Sequence, residues 1–189
     1  MGSDTPMIDS IFSLFDTFGG EHYGENANQL QHALQCAKLA QDHGCELGLI
    51  AASLLHDIGQ FLDDAGNAAE KLNLDARHEI TGAAFLARGF GPEVTEPVRL
   101  HVDAKRYLCA VQPDYEEELS GASLLSLRLQ GGRMNDEEAA AFRAHPFFEQ
   151  AILLRNFDDS GKRPDWIVPP LETYRDLLQS LLREEFAAT

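Results

Sequence analysis

Apolar residues recur at three- and four-residue intervals along most of the chain, and no run of β-branched residues alternates with polar ones at every second position. That period predicts helices over about 7–18, 26–43, 46–57, 76–89, 92–106, 115–129, 136–144, 146–156 and 170–185, and hence an all-α fold. Gly44, Gly59 and Gly89 stand where these helices should end. Asn135, followed by Asp136, Glu137 and Glu138, is a capped start whose acidic first turn suits the helix dipole. The stretch 59–76, GQFLDDAGNAAEKLNLDA, has no clear period and several carboxylates. It is expected to be a surface loop at the entrance of a site, long enough to act as a lid.

Several polar residues break into this pattern from apolar faces. His32 lies in NANQLQHALQCAKLAQ, where Leu30, Ala33, Leu34, Ala37 and Leu39 keep helical spacing, so its imidazole leaves the helix beside a buried face. His56 and Asp57 close the apolar run LIAASLLHDIG. Neighbouring residues on a helix point about 100° apart, so His56 can bind one metal ion while the two oxygens of Asp57 reach a second. His78 opens HEITGAAFLARGF and His101 falls late in PEVTEPVRLHVDAKRYL, each next to apolar helical positions. With Asp158 these make six nitrogen and oxygen ligands, a set that suits first-row metals and points to iron or manganese. Taken singly, a histidine is more often a core or surface residue satisfied by a backbone group, and His22, His43 and His145 are assigned to that class.

At 189 residues the chain is expected to form one domain over 1–189 with a substantial core. Its 15 basic and 31 acidic residues give a net charge of −16, which repels nucleic-acid phosphates and anionic lipid headgroups and leaves a small molecule as the expected partner. No segment approaches the roughly 18 apolar residues of a membrane span, and no basic region precedes a hydrophobic stretch at the N-terminus. Cys36, Cys45 and Cys109 are odd in number and lack CxxC spacing, so they are expected to be reduced thiols of a cytoplasmic protein.

The order His, HisAsp, His, His, Asp resembles the HD-domain superfamily, an all-helical group of metal-dependent enzymes that mostly hydrolyse phosphate esters. The strings NQLQHALQCA, LLHDIG, HVDAKRYL, QGGRM and LRNFDDSGK are similar to one branch of it, the mixed-valence diiron oxygenases that cleave the carbon–phosphorus bond of 1-hydroxyphosphonates. Position by position, the resemblance implies that His32, His56, Asp57, His78, His101 and Asp158 hold two iron ions as an Fe(II)/Fe(III) pair. Asp57 bridges them, and O2 is the co-substrate.

The resemblance extends to the substrate pocket. Lys105, one helical turn after His101, would hold the phosphonate with Arg155, Ser123 and Ser126, and Asp57 and Lys105 would take the catalytic parts. Glu25, seven residues before His32, would meet a substrate ammonium. Tyr23 would cover the open iron position, and Gln29 and Gln60 would complete the pocket. Two departures stand out from the aminophosphonate enzyme: Tyr23 is one residue nearer Glu25, and Gln60, which can donate a hydrogen bond but not shuttle a proton, replaces the histidine of its HDxGH string. Phe12, Phe15 and Phe18, upstream of Tyr23, allow two readings, an aromatic cage for a quaternary ammonium or the buried stripe of an amphipathic helix.

The implied reaction uses O2 to convert 1-hydroxy-2-(trimethylammonio)ethylphosphonate or 2-amino-1-hydroxyethylphosphonate into phosphate and glycine betaine or glycine. A 2-oxoglutarate-dependent hydroxylase, acting upstream, would be a partner in the pathway alone. The alternative is an HD-type phosphohydrolase acting on a small phosphate ester through a metal-bound hydroxide, without O2. HVDAKRYL and the Tyr23–Glu25 loop favour the oxygenase.

Overall fold

Amphipathic stripes fold into ten α-helices among the residues that the computed structural model describes, which are 7–22, 25–62 and 77–183. In chain order they are α1 (Met7–Phe18), α2 (Gln29–Asp42), α3 (Leu47–Leu55), α4 (His78–Leu86), α5 (Pro92–Val111), α6 (Tyr115–Glu118), α7 (Gly121–Leu129), α8 (Asp136–Arg143), α9 (Phe148–Ser160) and α10 (Arg175–Ser180). Two 3-10 segments, Ile58–Gln60 and Leu171–Tyr174, complete the elements, and the described residues contain no strand beyond one isolated bridge between Phe90 and Leu182. The fold is all-α. No helix among the described residues is long and apolar enough to cross a membrane. Tyr23 and residues 63–76, most of the expected lid, lie outside the described residues.

The helix starts follow from local chemistry. Asn28 opens α2 with a reciprocal capping box: its side chain accepts from the Gln31 amide at 2.8 Å, and the Gln31 side chain accepts from the Asn28 amide at 3.2 Å. Gly44, at φ 74°, takes the left-handed conformation just past the end of α2. Asn135 and Glu138 repeat the capping box at α8.

The expected helix 115–129 is two helices, because Ser120 adopts extended backbone and its hydroxyl accepts from the Ser123 amide. A serine that can cap a new helix competes with continuation of the old one. The expected helix 170–185 starts instead as a 3-10 turn, and its α-helical part ends at Ser180.

Five of the helices carry the site. Helix α5 lies at their centre against α3, α4 and α9, while α2 packs on α3 and α9. Two glycines permit the closest approaches. A Cβ on Gly59 would lie 1.9 Å from the His78 carbonyl oxygen, so only glycine lets the start of α4 settle over the HisAsp turn. A Cβ on Gly161 would meet Cys36 Sγ at 2.7 Å, so a side chain there would hold the end of α9 off α2. Gln35, fully buried on α2, fastens the chain beyond α9: its amide nitrogen donates to the Arg163 carbonyl at 2.6 Å, and its oxygen accepts from the Arg163 amide at 3.0 Å.

The core confirms the buried-stripe reading of α1. Ile8, Ile11 and Phe15 are buried, and Phe15 and Phe18 pack on the Phe61 ring at centroid distances of 5.3 and 5.9 Å. Phe12 lies under the Arg175 guanidinium at 4.0 Å. These rings dock α1 onto the bundle, and burying Phe15 contributes roughly 1.5–3 kcal/mol. A second apolar cluster, with Tyr107, Phe142 and Phe148 in mutual ring contact, joins α5 to α8 and α9.

Candidate metal centre

The centre begins where α3 stops. His56 keeps helical dihedrals at φ −58° and ψ −34°, whereas Asp57 turns to φ −98° and ψ 7° and starts the 3-10 segment. That bridge-region turn, a conformation common among active-site residues, brings the pair together, with His56 Nε2 3.5 Å from Asp57 Oδ2. The expected helix 46–57 therefore ends two residues early. Convergence of the two side chains comes from this turn and not from continued helix.

Around the turn the six expected ligands form two groups that share Asp57. In the first, His32 Nε2 lies 3.2 Å from His56 Nε2, 3.3 Å from Asp158 Oδ1 and 3.9 Å from Asp57 Oδ2. In the second, His78 Nε2 lies 3.2 Å from both His101 Nε2 and Asp57 Oδ1, and His101 Nε2 is 3.7 Å from that same Oδ1. One oxygen of Asp57 thus faces each group. Helices α2, α4, α5 and α9 deliver one ligand each, His56 caps the end of α3, and Asp57 follows in the turn after it.

Backbone carbonyls set the chemistry of these imidazoles. His32 Nδ1 donates to the Gly161 carbonyl at 2.8 Å, His56 Nδ1 to Ser53 at 2.9 Å and His101 Nδ1 to Val98 at 2.7 Å. With the proton on Nδ1, each neutral ring turns a bare Nε2 lone pair inward, the tautomer a metal requires. Two such lone pairs 3.2 Å apart repel each other unless a cation lies between them, and four imidazoles with two carboxylates are a donor set that first-row metals accept. The residues fit a metal.

Electrostatics favours the ligating forms of His56, His101 and both carboxylates, whereas against burial Cys36 and Asp158 hold His32 well above its usual range and Asp57 holds His78 up. Burial pushes His101 down to about 3, with His78 and His56 adding to the effect, and burial likewise lowers His56. Burial alone would raise Asp57, but His56 and His78 outweigh it and hold the carboxyl well below its usual range. Asp158 is held low against burial chiefly by Arg155 and Lys162. Cys36 Sγ lies 3.7 Å from His32 Nδ1, but burial raises its thiol, which donates to the Phe157 carbonyl at 3.5 Å. Cys36 is a packing thiol, as its place in the apolar pattern suggests, and all three cysteines are free.

Several of the expected substrate residues are joined by hydrogen bonds and ion pairs close to Asp158. Lys105 is buried and donates to Ser126 Oγ at 2.7 Å, and Ser126 donates to the Ser123 carbonyl at 3.0 Å. Burial first, and Arg155 second, lower Lys105 to about 7. Arg155 donates to Asp158 Oδ2 at 2.6 Å and to the Tyr115 hydroxyl at 2.9 Å, and a third contact reaches Asp159. Its fork therefore orients a candidate metal ligand. Gln29 is buried, and its amide oxygen has no hydrogen-bond partner among the described residues. Gln60 is half-buried three residues after Asp57.

Three residues of this network carry no sequence signal of their own. Lys162 donates to Glu25 Oε1 at 2.9 Å and to Ser123 Oγ at 3.2 Å, and Ser120 donates to Glu25 Oε1 at 2.7 Å. Tyr115 donates to Asp159. Lys162 follows Asp158 by four residues inside the LRNFDDSGK string, but it lies beyond the end of α9. His22 and His43 are exposed, and His145 pairs with Glu96 and Arg99 away from the centre, as assigned.

The HD domain pattern matches residues 30–144, which hold five of the six candidate ligands. The chain belongs to the HD-domain family. Within it, the chain is 46% identical over 95% of its length, and 91% of the relative's, to a hydroxymethylphosphonate dioxygenase of Gimesia maris. It is 39% identical over 96% of its length, and 93% of the relative's, to the glycine-betaine-forming [1-hydroxy-2-(trimethylamino)ethyl]phosphonate dioxygenase of Leisingera caerulea. An uncharacterized protein of Acanthamoeba polyphaga mimivirus is 34% identical over 94% of this chain and 82% of its own. The protein is an enzyme, an HD-domain oxygenase.

Proposed function

We propose that the enzyme uses two iron ions and O2 to cleave the carbon–phosphorus bond of a 1-hydroxyphosphonate. The observation that carries this reading is Asp57, with one oxygen toward each of two histidine groups, beside a buried Lys105 and its serine partner. His32, His56, Asp158 and Asp57 would hold one iron, and His78, His101 and Asp57 the other. Bound there, the irons supply the one-electron chemistry with O2 that hydrolysis does not need. The balance is one 1-hydroxyphosphonate and one O2 giving one phosphate and one carboxylic acid, with both oxygen atoms retained in the products.

The chain's own residues position the substrate. Lys105 and Ser126 offer an ammonium and a hydroxyl to phosphonate oxygens, and in a buried pocket such charge-assisted bonds are strong. An arriving dianion favours the protonated Lys105 that burial otherwise disfavours. Arg155 holds Asp158 so that Oδ1 faces His32 while Oδ2 is bonded to the guanidinium. The ammonio-phosphonates and hydroxymethylphosphonate share the 1-hydroxyl and phosphonate and differ only in the substituent on C1. The 1-hydroxyl is supplied by a 2-oxoglutarate-dependent hydroxylase acting upstream, and the free thiols support a cytoplasmic location.

The test is phosphate release by iron-loaded protein with and without O2. Release from a 1-hydroxyphosphonate that stops under anaerobic conditions is expected. Oxygen-independent hydrolysis of a phosphate ester, with no release from phosphonates, would return the chain to the HD phosphohydrolases.

A further inference from the structure

Building on the two-metal reading of the site, we propose that Tyr115 is a positioning residue: it fixes the Arg155 guanidinium from outside α9 and thereby sets how the candidate ligand Asp158 faces the His32 group. It acts on the centre through the arginine.

Arg155 is 3% exposed, so every edge of its fork needs a partner within the chain. Nη1 donates to Asp158 Oδ2 at 2.6 Å and Nη2 donates to Asp159 Oδ1. Nε donates both to Asp159 Oδ2 at 3.2 Å and to the Tyr115 hydroxyl at 2.9 Å. The two carboxylates follow Arg155 by three and four residues on α9, so they fix the guanidinium only relative to its own helix. Among the described residues, Tyr115 is its one side-chain hydrogen-bond partner outside α9, 40 residues away in the chain. Tyr115 also donates to Asp159 Oδ2, which closes a ring of three groups. Through Arg155 that ring ends on Asp158, whose other oxygen, Oδ1, lies 3.3 Å from His32 Nε2.

The ring and the hydroxyl of Tyr115 have separate roles. The ring packs on two apolar clusters, one containing Leu108 and Phe142 and the other Cys109, Leu119 and Leu127. Phenylalanine would keep that packing. The hydroxyl alone reaches the charges, and burial raises the phenol, so it retains the proton it donates to Asp159. Without the hydroxyl, Nε keeps only the longer bond to Asp159, and the guanidinium is tied to α9 alone. A carboxylate whose second oxygen is held loses less freedom when its first meets a metal. The consequence falls on one half of the centre, because Asp158 pairs with His32 and His56, whereas His78 and His101 pair with Asp57.

The experiment loads wild type, Tyr115→Phe, Arg155→Lys and the double variant Tyr115→Phe/Arg155→Lys with Co(II), whose visible absorption reports the geometry around each ion. Loss of the two ions to a chelator is then followed. Arg155→Lys keeps the buried charge but lacks the Nε that meets the tyrosine. Removing an outer partner of a metal ligand typically weakens retention by about 10- to 100-fold, the effect expected of Arg155→Lys. One step further out, Tyr115→Phe should weaken one ion by about 3- to 10-fold and shift its absorption, with the other ion held as in wild type. Added to Arg155→Lys, the tyrosine substitution should cost less than about twofold more, as for residues that act along one path.

Release of both ions as in wild type, equal weakening of both, or a loss in the double variant equal to the product of the single losses would overturn the proposal. A wild type that binds no metal would overturn it as well. Neither substrate nor O2 enters the measurement, so phosphate release decides the phosphonate-cleaving reading separately. Absence of cleavage beside the expected retention ratios would remove that reading and leave Tyr115 in its role. Asp159→Asn, which weakens the acceptor that Tyr115 and Arg155 share, should weaken the same ion and serves should Tyr115→Phe not fold.

Discussion

The two halves of the metal centre share Asp57 but differ in how firmly their other ligands are held. On one side His32 and His56 are each tied through Nδ1 to a backbone carbonyl, and Asp158 is tied to Arg155, with side-chain exposures of 6%, 0% and 8%. On the other side, among the described residues, only His101 has such a tie. His78 is 14% exposed and is the first residue of α4, directly after Arg77 at φ 47°. Its Nδ1 has the Glu79 carboxylate at 3.8 Å, beyond hydrogen-bonding distance. Ligands whose orientation is fixed in advance lose less entropy on binding and hold metal more tightly. The His32 side should therefore bind first and more strongly.

The largest test of that asymmetry removes what the halves share. Asp57→Ala takes one oxygen from each group, and phosphate release should fall by about 10³-fold or more, with metal content below two ions per chain after dialysis. His78→Ala should separate the halves: one ion should remain, retained by His32, His56, Asp57 and Asp158. His32→Ala, which damages the better-held side, should leave less metal than His78→Ala. The reverse order of retention would show that backbone ties do not decide affinity here.

A smaller effect sharpens the contrast between the metal centre and the cationic pocket beside it. Lys105 is lowered from 10.5 to about 7, mainly by burial, so its ammonium is lost as pH rises through about 7. For a dianionic substrate, kcat/KM should fall on the alkaline side with an apparent midpoint near that value. Lys105→Met should reduce kcat/KM by about 10²-fold and flatten this limb, and an unchanged limb would assign it to another group. Stability has the opposite sign. Between about 7 and 10.5 the unfolded chain binds a proton that folded Lys105 does not, so this residue's contribution to stability rises with pH across that window.

The contrast between the metal centre and the pocket also shows what the chain reveals before it folds. The six candidate ligands stand out through their order along the chain, since each histidine taken singly reads as a satisfied core or surface residue, although an imidazole that interrupts an apolar helical face is costly to bury unless something binds it. Lys105 is legible as one helical turn after His101, whereas Ser126 stands out only through the resemblance, since a serine on a helix face alone signals packing. Glu25 is legible as a charge but not as half of a pair, because its partner Lys162 lies 137 residues away and past the end of α9. No local period reports such a contact. Tyr115 escapes notice because it opens a four-residue helix that periodicity merges with α7, and only the capping chemistry of Ser120 separates them. Helical spacing predicts the bridging geometry of Asp57, whereas a turn supplies it.

The smallest expected effect lies in the contact that sets His78 apart. Ser53, Val98 and Gly161 act through carbonyls that no side-chain substitution removes, but Glu79 acts on His78 through a side chain that a substitution changes. Glu79→Gln keeps size and polarity while removing the negative charge that favours a proton on His78 Nδ1 and so leaves Nε2 free for metal. A direct carboxylate–imidazole bond is typically worth about 10- to 100-fold in metal affinity, and at 3.8 Å the effect should be about 3- to 10-fold. Competition against a chelator, followed as two successive losses of metal, should show the weaker ion leaving sooner in the variant and the tighter ion unchanged. Equal weakening of both would mean that Asp57 couples the halves so strongly that they bind as one unit, and the difference in their support would then have no consequence for affinity.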